Sequence, residues 1–498
     1  MAMLLPWLAW LLVSLLAVYF LDLLAHARRG LPPGPRPLPL IGSMHLLGDQ
    51  PHRSLARLAK IHGPLMSLRL GAVTAVVVSS PEAAREFLQK HDAVFAHRYV
   101  PDAVRRHAEN SVPWLPNSPR WRALRRLMAT ELFAPHRLDA LQRLRREKVR
   151  ELADHVGRLA REGAAVDVGR VAFTTSLNLL SRTIFSRDLT DLDDHGGSKG
   201  FQEVVTEIME AAGSPNPSDF FPALAAADLQ GWRRRLWKLF ARLHQVFDAE
   251  VERRLRDRES GGPRKDDFLE LLLDAAAAAE DDNAVGLDRD TLRSIFTIYL
   301  LLEVTQALAQ WNGQWWSCLE TQYQWLKLAM SLQKLLAQEE TFEESEICRL
   351  PYLQAVIKET FRLHPPVPLL LPRKAAATVQ VMGHVIHEGA RVLVNVWAMG
   401  RDKDIWPEPE NFMPERFLER TIDFRCGDFE LIPFGAGRRI CPGMSLAIRM
   451  VHLVLASLLN QFKWTLPVEM QRNGIDMTEK FGVTLTKATP FCPLATPI

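Results

Sequence analysis

One cysteine stands in a setting that could make it a metal ligand or a nucleophile: Pro433-Phe434-Gly435-Ala436-Gly437-Arg438-Arg439-Ile440-Cys441-Pro442-Gly443. The thiolate is the reactive and ligating form, and nearby positive charge favours it. Arg438 and Arg439 supply such charge. Behind Pro442 and Gly443 the apolar run Met444 to Leu459 repeats at helical spacing, so a helix N-terminus would aim N–H groups and its positive dipole end near the sulfur. Gly435, Gly437 and Gly443 predict tight positive-φ turns and a close backbone approach to a flat ligand. The competing account makes Cys441 a small buried apolar residue in a glycine-rich turn.

Two further pairs have spacing that could matter. Glu359 and Arg362 lie three apart just before Leu363-His364-Pro365-Pro366 ends a helix, which alone describes a surface ion pair of ~0.2 to 0.5 kcal/mol. Trp121 and Arg125 lie four apart and share a helix face, within a basic helical pattern from Pro119 to about Gly163. Spacing alone fits equally a solvated basic face with a half-buried tryptophan.

The elements that must position these groups follow from the rest of the chain. At 498 residues, 47% hydrophobic and 24% charged, it can bury a large core and does not read as disordered. A net charge of +3 gives no electrostatic case for nucleic-acid binding. Five dispersed cysteines without Cys-x-x-Cys spacing argue against a disulfide framework and a zinc site. Met3 to Leu24 is apolar apart from Pro6, Ser14 and Asp22, long enough to span a bilayer, and His26, Arg28 and Arg29 follow it. The positive-inside rule then puts the remaining chain on the cytosolic side of an uncleaved single-pass anchor. Leu31 to Pro39 is too proline-rich for helix and predicts a stiff, extended hinge. Leu65 to Val78 reads as a hairpin around Gly71, and Ser80-Pro81-Glu82 as the start of a helix reaching about Lys90. Residues 164 to 295 read as mostly helix, broken at Asp191 to Gly200 and Glu259 to Asp267. Val379 to Val396 predicts a small sheet with turns at Gly383 and Gly389.

Phe-x-x-Gly-x-Arg-x-Cys-x-Gly, filled here from Phe434 to Gly443, resembles the haem-binding loop of the cytochrome P-450 family. In detail the chain is similar to plant microsomal members of the group numbered 76. The resemblance implies a mainly α fold with small β-sheets, and three segments: a membrane anchor and basic flank over 1–29, the Pro-rich hinge over 30–42, and a haem-binding catalytic domain over 43–498. It implies haem b with Cys441 as the axial thiolate, Arg439 and the Trp121/Arg125 pair at the haem propionates, and Arg373 near the second propionate. Phe434 and Gly443 complete the loop. It also implies that Glu359 and Arg362 lock onto Arg416 of Phe412-Met413-Pro414-Glu415-Arg416-Phe417, a structural rather than catalytic trio. Arg122 and Arg126 are then solvated or face a redox partner, and His364 and His384 are structural or surface residues. The implied activity is insertion of one oxygen atom from dioxygen into a small lipophilic substrate, with a terpenoid as the candidate. Electrons would come from NADPH through a flavoprotein reductase at the endoplasmic reticulum membrane. Family position assigns the substrate lining to Val112 to Leu115, Val367 to Leu371 and Phe481 to Val483, and a channel-shaping role to Phe201 to Phe240.

Between Thr297 and Phe342 the likeness fails. Where the family has a sequence close to Ala-Gly-Ser-Asp-Thr-Ser, whose acid and threonine relay protons to dioxygen, this chain has Leu302-Glu303-Val304-Thr305-Gln306-Ala307. Thr305 stands at the acid's position and Gln306 at the threonine's, so the relay is expected to be lost. Reading each residue from the last base of one codon and the first two of the next, with synonymous codons chosen freely, restores Ala-Gly-Ser-Asp-Thr-Ser and a family-like sequence onward from Lys327. A reading-frame slip that opens near Thr297 and closes near Phe342 is the expectation; real divergence is its rival. Two other functions stay open on the sequence: a haem-thiolate isomerase or dehydratase that needs neither dioxygen nor reductase, and a non-enzymatic product of a frame-damaged gene.

Overall fold

The computed structural model describes residues 30–193, 197–278, 288–299 and 344–498 apart from 426, 475 and 477, with four isolated positions before residue 30. The expected anchor, Thr305, Gln306 and most of the 297–342 stretch lie outside the described residues.

Helices dominate. In chain order the longer ones are α1 (Pro51–His62), α2 (Pro119–Leu127), α3 (Gln142–Arg161), α4 (Val168–Phe185), α5 (Gly197–Gly213), α6 (Trp232–Glu259), α7 (Phe268–Ala278), α8 (Pro351–Leu363) and α9 (Met444–Gln461). Local chemistry sets several starts. Ser118 Oγ accepts from the Trp121 N–H at 3.2 Å with Pro119 in the first turn, and Asp167 accepts from the Arg170 N–H at 3.0 Å. α4 is apolar nearly all round because it runs through the core, buried along almost its whole length. α9 is the one helix among the described residues long and apolar enough to cross a membrane, yet 61% of it is buried inside the protein, which marks it as a core helix. Apolar side chains of α2, α3, α4, α6, α8 and α9 merge into one cluster that also contains Phe434.

The main sheet has five strands. β1 (Leu65–Leu70) and β2 (Val73–Val78) form the expected hairpin, with Gly71 at φ 59° in the turn. β3 (His97–Arg98) and β4 (Arg373–Lys374) are two residues each. The segment from Val379 to Val396 divides: β5 (Val379–Val381) pairs β6 (His384–Ile386), whereas β7 (Arg391–Val394) crosses to lie parallel to β2, giving the order β1-β2-β7-β4-β3. The expected single small sheet is therefore two, because the turn at Gly389 (φ 81°) sends β7 away from the hairpin.

The Pro-rich segment is extended as expected, but it is docked rather than loose. Ser67 donates from its N–H to the Pro33 carbonyl at 2.8 Å and from its hydroxyl to the Pro32 carbonyl at 2.6 Å. A Cβ on Gly34 would lie 1.9 Å from the Ser67 oxygen, so only glycine allows this approach. The segment is thus strapped onto β1.

Candidate functional site

The cysteine loop sits between the sheet and α9. Gly435 and Gly437 hold φ of 70° and 67°, and a Cβ on Gly437 would lie 1.9 Å from the Leu88 carbonyl oxygen. Those two turns and a hydrogen bond from the Cys441 N–H to the Phe434 carbonyl at 3.0 Å fold the loop back on itself. Gly443 differs from expectation. Its φ is −84°, an ordinary value, because it is the residue from which α9 starts rather than a turn. Cys441 is half-buried two residues before that helix N-terminus, on the wall of a cavity of about 120 Å³. Phe434 anchors the loop from beneath by packing edge-on against Phe361 of α8 (5.2 Å) and tilted against Phe424 (5.5 Å).

Of the two arginines before the cysteine, Arg438 points outward to Asp92 at 3.1 Å, whereas Arg439 is 7% exposed and turns inward. Arg439 donates from Nε to the Ala96 carbonyl (2.7 Å), from Nη1 to Val112 (3.1 Å) and from Nη2 to Leu115, with its guanidinium 4.1 Å from the Trp121 ring centroid. Arg125, on the same face of α2 as Trp121, donates to the Ile440 carbonyl at 2.9 Å, one residue from the cysteine. Arg373 donates to Phe95 and Ala436 carbonyls at 3.3 and 3.1 Å, and its Nε is buried without a partner. A fourth, Arg98, donates to the Pro113 and Leu371 carbonyls at 3.2 and 2.6 Å. Arg98 and Arg373 face one another across β3 and β4, a like-charge pairing that a sheet disfavours.

All four arginines line the Cys441 cavity, and their recorded partners among the described residues are neutral carbonyl oxygens. Burial, then repulsion from Arg373 and Arg125, pushes the Arg439 guanidinium down to about 9, and burial takes Arg373 to about 10. Burial and the other three hold Arg98 well below the usual arginine range. Burial lowers Arg125 too, partly offset by the neighbouring Cys441. Two buried cations, Arg373 and Arg439, and two half-buried ones, Arg98 and Arg125, around one cavity favour an anion between them. A planar group with two carboxylates satisfies this need, and its body would meet the apolar remainder of the lining: Met128, Phe133, Ile298, Leu370 and Val483. Haem fits these residues.

Trp121, expected at a haem propionate, is buried beside Arg439 and Arg125, and its indole N–H donates to the Val112 carbonyl at 3.1 Å. It serves as a ring between two guanidinium groups, at 4.1 Å from Arg439 and 6.0 Å from Arg125. Arg122 and Arg126 are exposed. His364 and His384 are half-buried, His364 3.9 Å from Glu479 and His384 in β6.

The Glu359 trio closes completely. Arg362 makes a two-pronged pair with Glu359 at 2.7 and 2.8 Å, and Arg416 Nε reaches Glu359 Oε1 at 3.1 Å. Glu359 also accepts from the Met413 N–H at 2.7 Å, while Arg362 donates to Pro409 (2.6 Å) and Asn411 (3.0 Å) carbonyls. Glu359 and Arg362 are 0% exposed at the side chain. The pair is therefore a buried brace between α8 and the segment 409–416 rather than a surface contact.

Of the three segments expected to line the substrate space, Val112 to Trp114, Val367 to Leu371 and Phe481 to Val483 line the Cys441 cavity or one that adjoins it, whereas Leu115 does not. Phe201 to Phe240 contributes Ile208, Met209, Trp237 and Phe240 to an adjoining one. Arg98 escaped sequence reasoning, since a two-residue strand has no period to read; an unclaimed arginine directly before Tyr99 was the available signal.

The family model described as Cytochrome P450 matches residues 32–301 and 326–492. Among curated proteins, the chain is 47% identical over 473 residues to geraniol 8-hydroxylase from Catharanthus roseus, covering 94% of each chain. It is 43% identical over 474 residues to 7-ethoxycoumarin O-deethylase from Helianthus tuberosus, covering 94% of this chain and 95% of that one. It is 44% identical over 472 residues to Cytochrome P450 76C2 from Arabidopsis thaliana, covering 92% of this chain and 90% of that one. With haem iron as its cofactor and NADPH-reduced flavoprotein as its electron source, the chain belongs to the cytochrome P-450 family of monooxygenases.

Proposed function

We propose that this monooxygenase hydroxylates a small terpenoid alcohol, and that Cys441 ligates the iron. The observation that carries the reading is the cavity at Cys441, lined by two buried arginines (Arg373, Arg439), two half-buried ones (Arg98, Arg125) and apolar side chains over the remainder. In this reading Cys441 Sγ would hold the haem iron as a thiolate. Arg98, Arg125, Arg373 and Arg439 hold the two carboxylates of the group, and Trp121 separates two of the arginines. Glu359, Arg362 and Arg416 carry no proton in the reaction and keep the cysteine loop in place. When bound, haem supplies the oxidising chemistry, with the thiolate donating electron density that favours O–O cleavage. The terpenoid reading is supported by the names of two relatives, geraniol 8-hydroxylases of Catharanthus roseus and Swertia mussotii. The chain's segment Met3 to Leu24 would anchor it in the endoplasmic reticulum membrane, with residues 43–498 as the catalytic domain on the cytosolic side.

The reading of residues 297–342 as a reading-frame slip belongs with this proposal. Its support is that the family match stops at residue 301 and resumes at 326, inside the stretch, while both flanks match. As written, Thr305 offers a hydroxyl and Gln306 a carboxamide, neither of which titrates as a carboxylic acid does, so the proton relay is absent. The test is incubation of the full chain with reductase, NADPH and geraniol, followed by product analysis. A hydroxylated geraniol supports the substrate class, and oxidation of unrelated lipophiles with geraniol untouched overturns it.

A further inference from the structure

A second cavity of about 430 Å³ adjoins the Cys441 cavity, the two sharing Pro113, Ile298, Leu371 and Val483 in their walls. Its charged wall residues are Arg106, Glu109, Asp290 and Arg293, of which Glu109 is exposed. Arg293 pairs with Asp248 at 2.6 Å and Asp290 at 2.7 Å, and Arg106 lies over the Trp237 ring. Two histidines from different elements meet there: His107, from the short helix Arg105–Ala108, and His244 from α6, with ring centroids 5.9 Å apart. His107 packs on Phe240 at 4.1 Å, and its Nε2 is buried with no hydrogen-bond partner. His244 Nε2 lies 3.4 Å from Thr297 Oγ, whose hydroxyl already donates to the Arg293 carbonyl at 2.7 Å. Thr297 can therefore only accept from His244, which puts the proton on Nε2 and leaves Nδ1 as an acceptor.

We infer that His107 and His244 recognise the hydroxyl of a lipophilic alcohol, holding it at the end of the substrate space remote from Cys441. A hydroxyl both donates and accepts, so it can give its proton to His244 Nδ1 and accept from an N–H of His107. A carboxylate has no proton to give, and a hydrocarbon has neither. Burial, with repulsion from His244 and Arg106, pushes His107 down to about 4, and burial with Arg293 lowers His244 against the opposing pull of Asp248 and Asp290. Both rings are then neutral near pH 7, which suits a neutral ligand. With the oxygen held there, the chain of the substrate runs past Pro113, Ile298, Leu371 and Val483, and oxidation falls at its far end. This inference rests on the monooxygenase reading above and adds the group that selects and orients the substrate.

The test is an absorbance titration of the haem spin state in the full chain, using geraniol and the hydrocarbon that lacks its hydroxyl. The expected result is that the wild-type protein binds the alcohol about fivefold to tenfold more tightly than the hydrocarbon, as one or two hydrogen bonds would give. His107→Phe reduces that preference by weakening only the alcohol, because the bond to His244 remains, and His107→Gln restores part of what is lost. Equal affinities in the wild-type protein, or an equal loss for both ligands in His107→Phe, overturn the inference while leaving the monooxygenase reading intact. A protein that responds to neither ligand overturns the substrate class and the inference together.

Discussion

Two regions of this chain face the same reaction, and they have fared differently. From Phe434 to Gly443 every position that the family pattern specifies is filled, and the structure brings that loop's half-buried thiol to a cavity lined by four arginines, two of them buried. From Leu302 to Ala307 the family's acid and threonine are both replaced, and the family match is interrupted from 302 to 325. Leu, Ala, Gln and Glu in that stretch still favour a helix. Helix propensity and apolar content survive such a change in ways that a proton relay does not. Fold and cofactor retention should therefore follow the first region, and coupling of electrons to product the second.

The comparison breaks most sharply at Cys441. Cys441→Ser should abolish the red-shifted absorbance of the reduced, carbon-monoxide-bound protein that a thiolate ligand gives; a variant that keeps this band would remove Cys441 from the iron. Next is Glu359→Gln, which leaves two buried arginines without their carboxylate. A loss of about 3 to 5 kcal/mol is expected in denaturant unfolding, with Glu359→Ala at least as damaging, and an unchanged midpoint would mean the brace does not hold the loop.

Acid probes the same side of the molecule. His452 of α9 is buried, its Nδ1 2.7 Å from the Ile448 carbonyl, and burial pushes it down to about 4. The unfolded chain, titrating near 6.5, binds the proton first, so this contribution is complete above about pH 6.5 and lost as pH falls to about 4. It is worth about 3 kcal/mol at most. Comparing unfolding of the wild-type protein and His452→Leu at pH 7 and pH 4.5 measures it, and equal pH slopes would contradict it.

The smallest effect separates charge from structure. Arg98→Met should speed haem loss by about tenfold or more, from one charge-assisted contact of about 1.5 to 3 kcal/mol. The haem-free protein should not lose stability, because the substitution also removes a cation that faces Arg373 across β3 and β4. If haem loss and apoprotein stability worsen together, Arg98 is simply a core residue.

Much of the fold was legible because its signals are local. The hairpin at Gly71, the helix starts at Ser80 and Pro119, and α9 behind Cys441 each announce themselves by period or cap. The site was legible where a motif concentrates it, as at Arg439 and Cys441. Long-range partners were not. Arg98 meets Arg373 through strands of two residues each, and the meeting of His107 with His244 depends on packing between elements 137 positions apart. β7 joins β2 in place of its nearer neighbours, and the proline segment docks on β1, through contacts that no periodicity encodes. The φ of Gly443 was misread because glycine marks both positive-φ turns and helix starts, and only the backbone path distinguishes them.

The central claim is that an intact thiolate site is joined to an altered oxygen-activating stretch. The most direct test measures product formed per NADPH consumed, with reductase and geraniol, for the chain as written and for a version translated in the shifted frame over 297–342. The account predicts that the written chain consumes NADPH chiefly as peroxide, and that the shifted version raises the yield per NADPH about 10²-fold or more, in line with recovery of a positioned acid. Equal, well-coupled turnover by the two would contradict it.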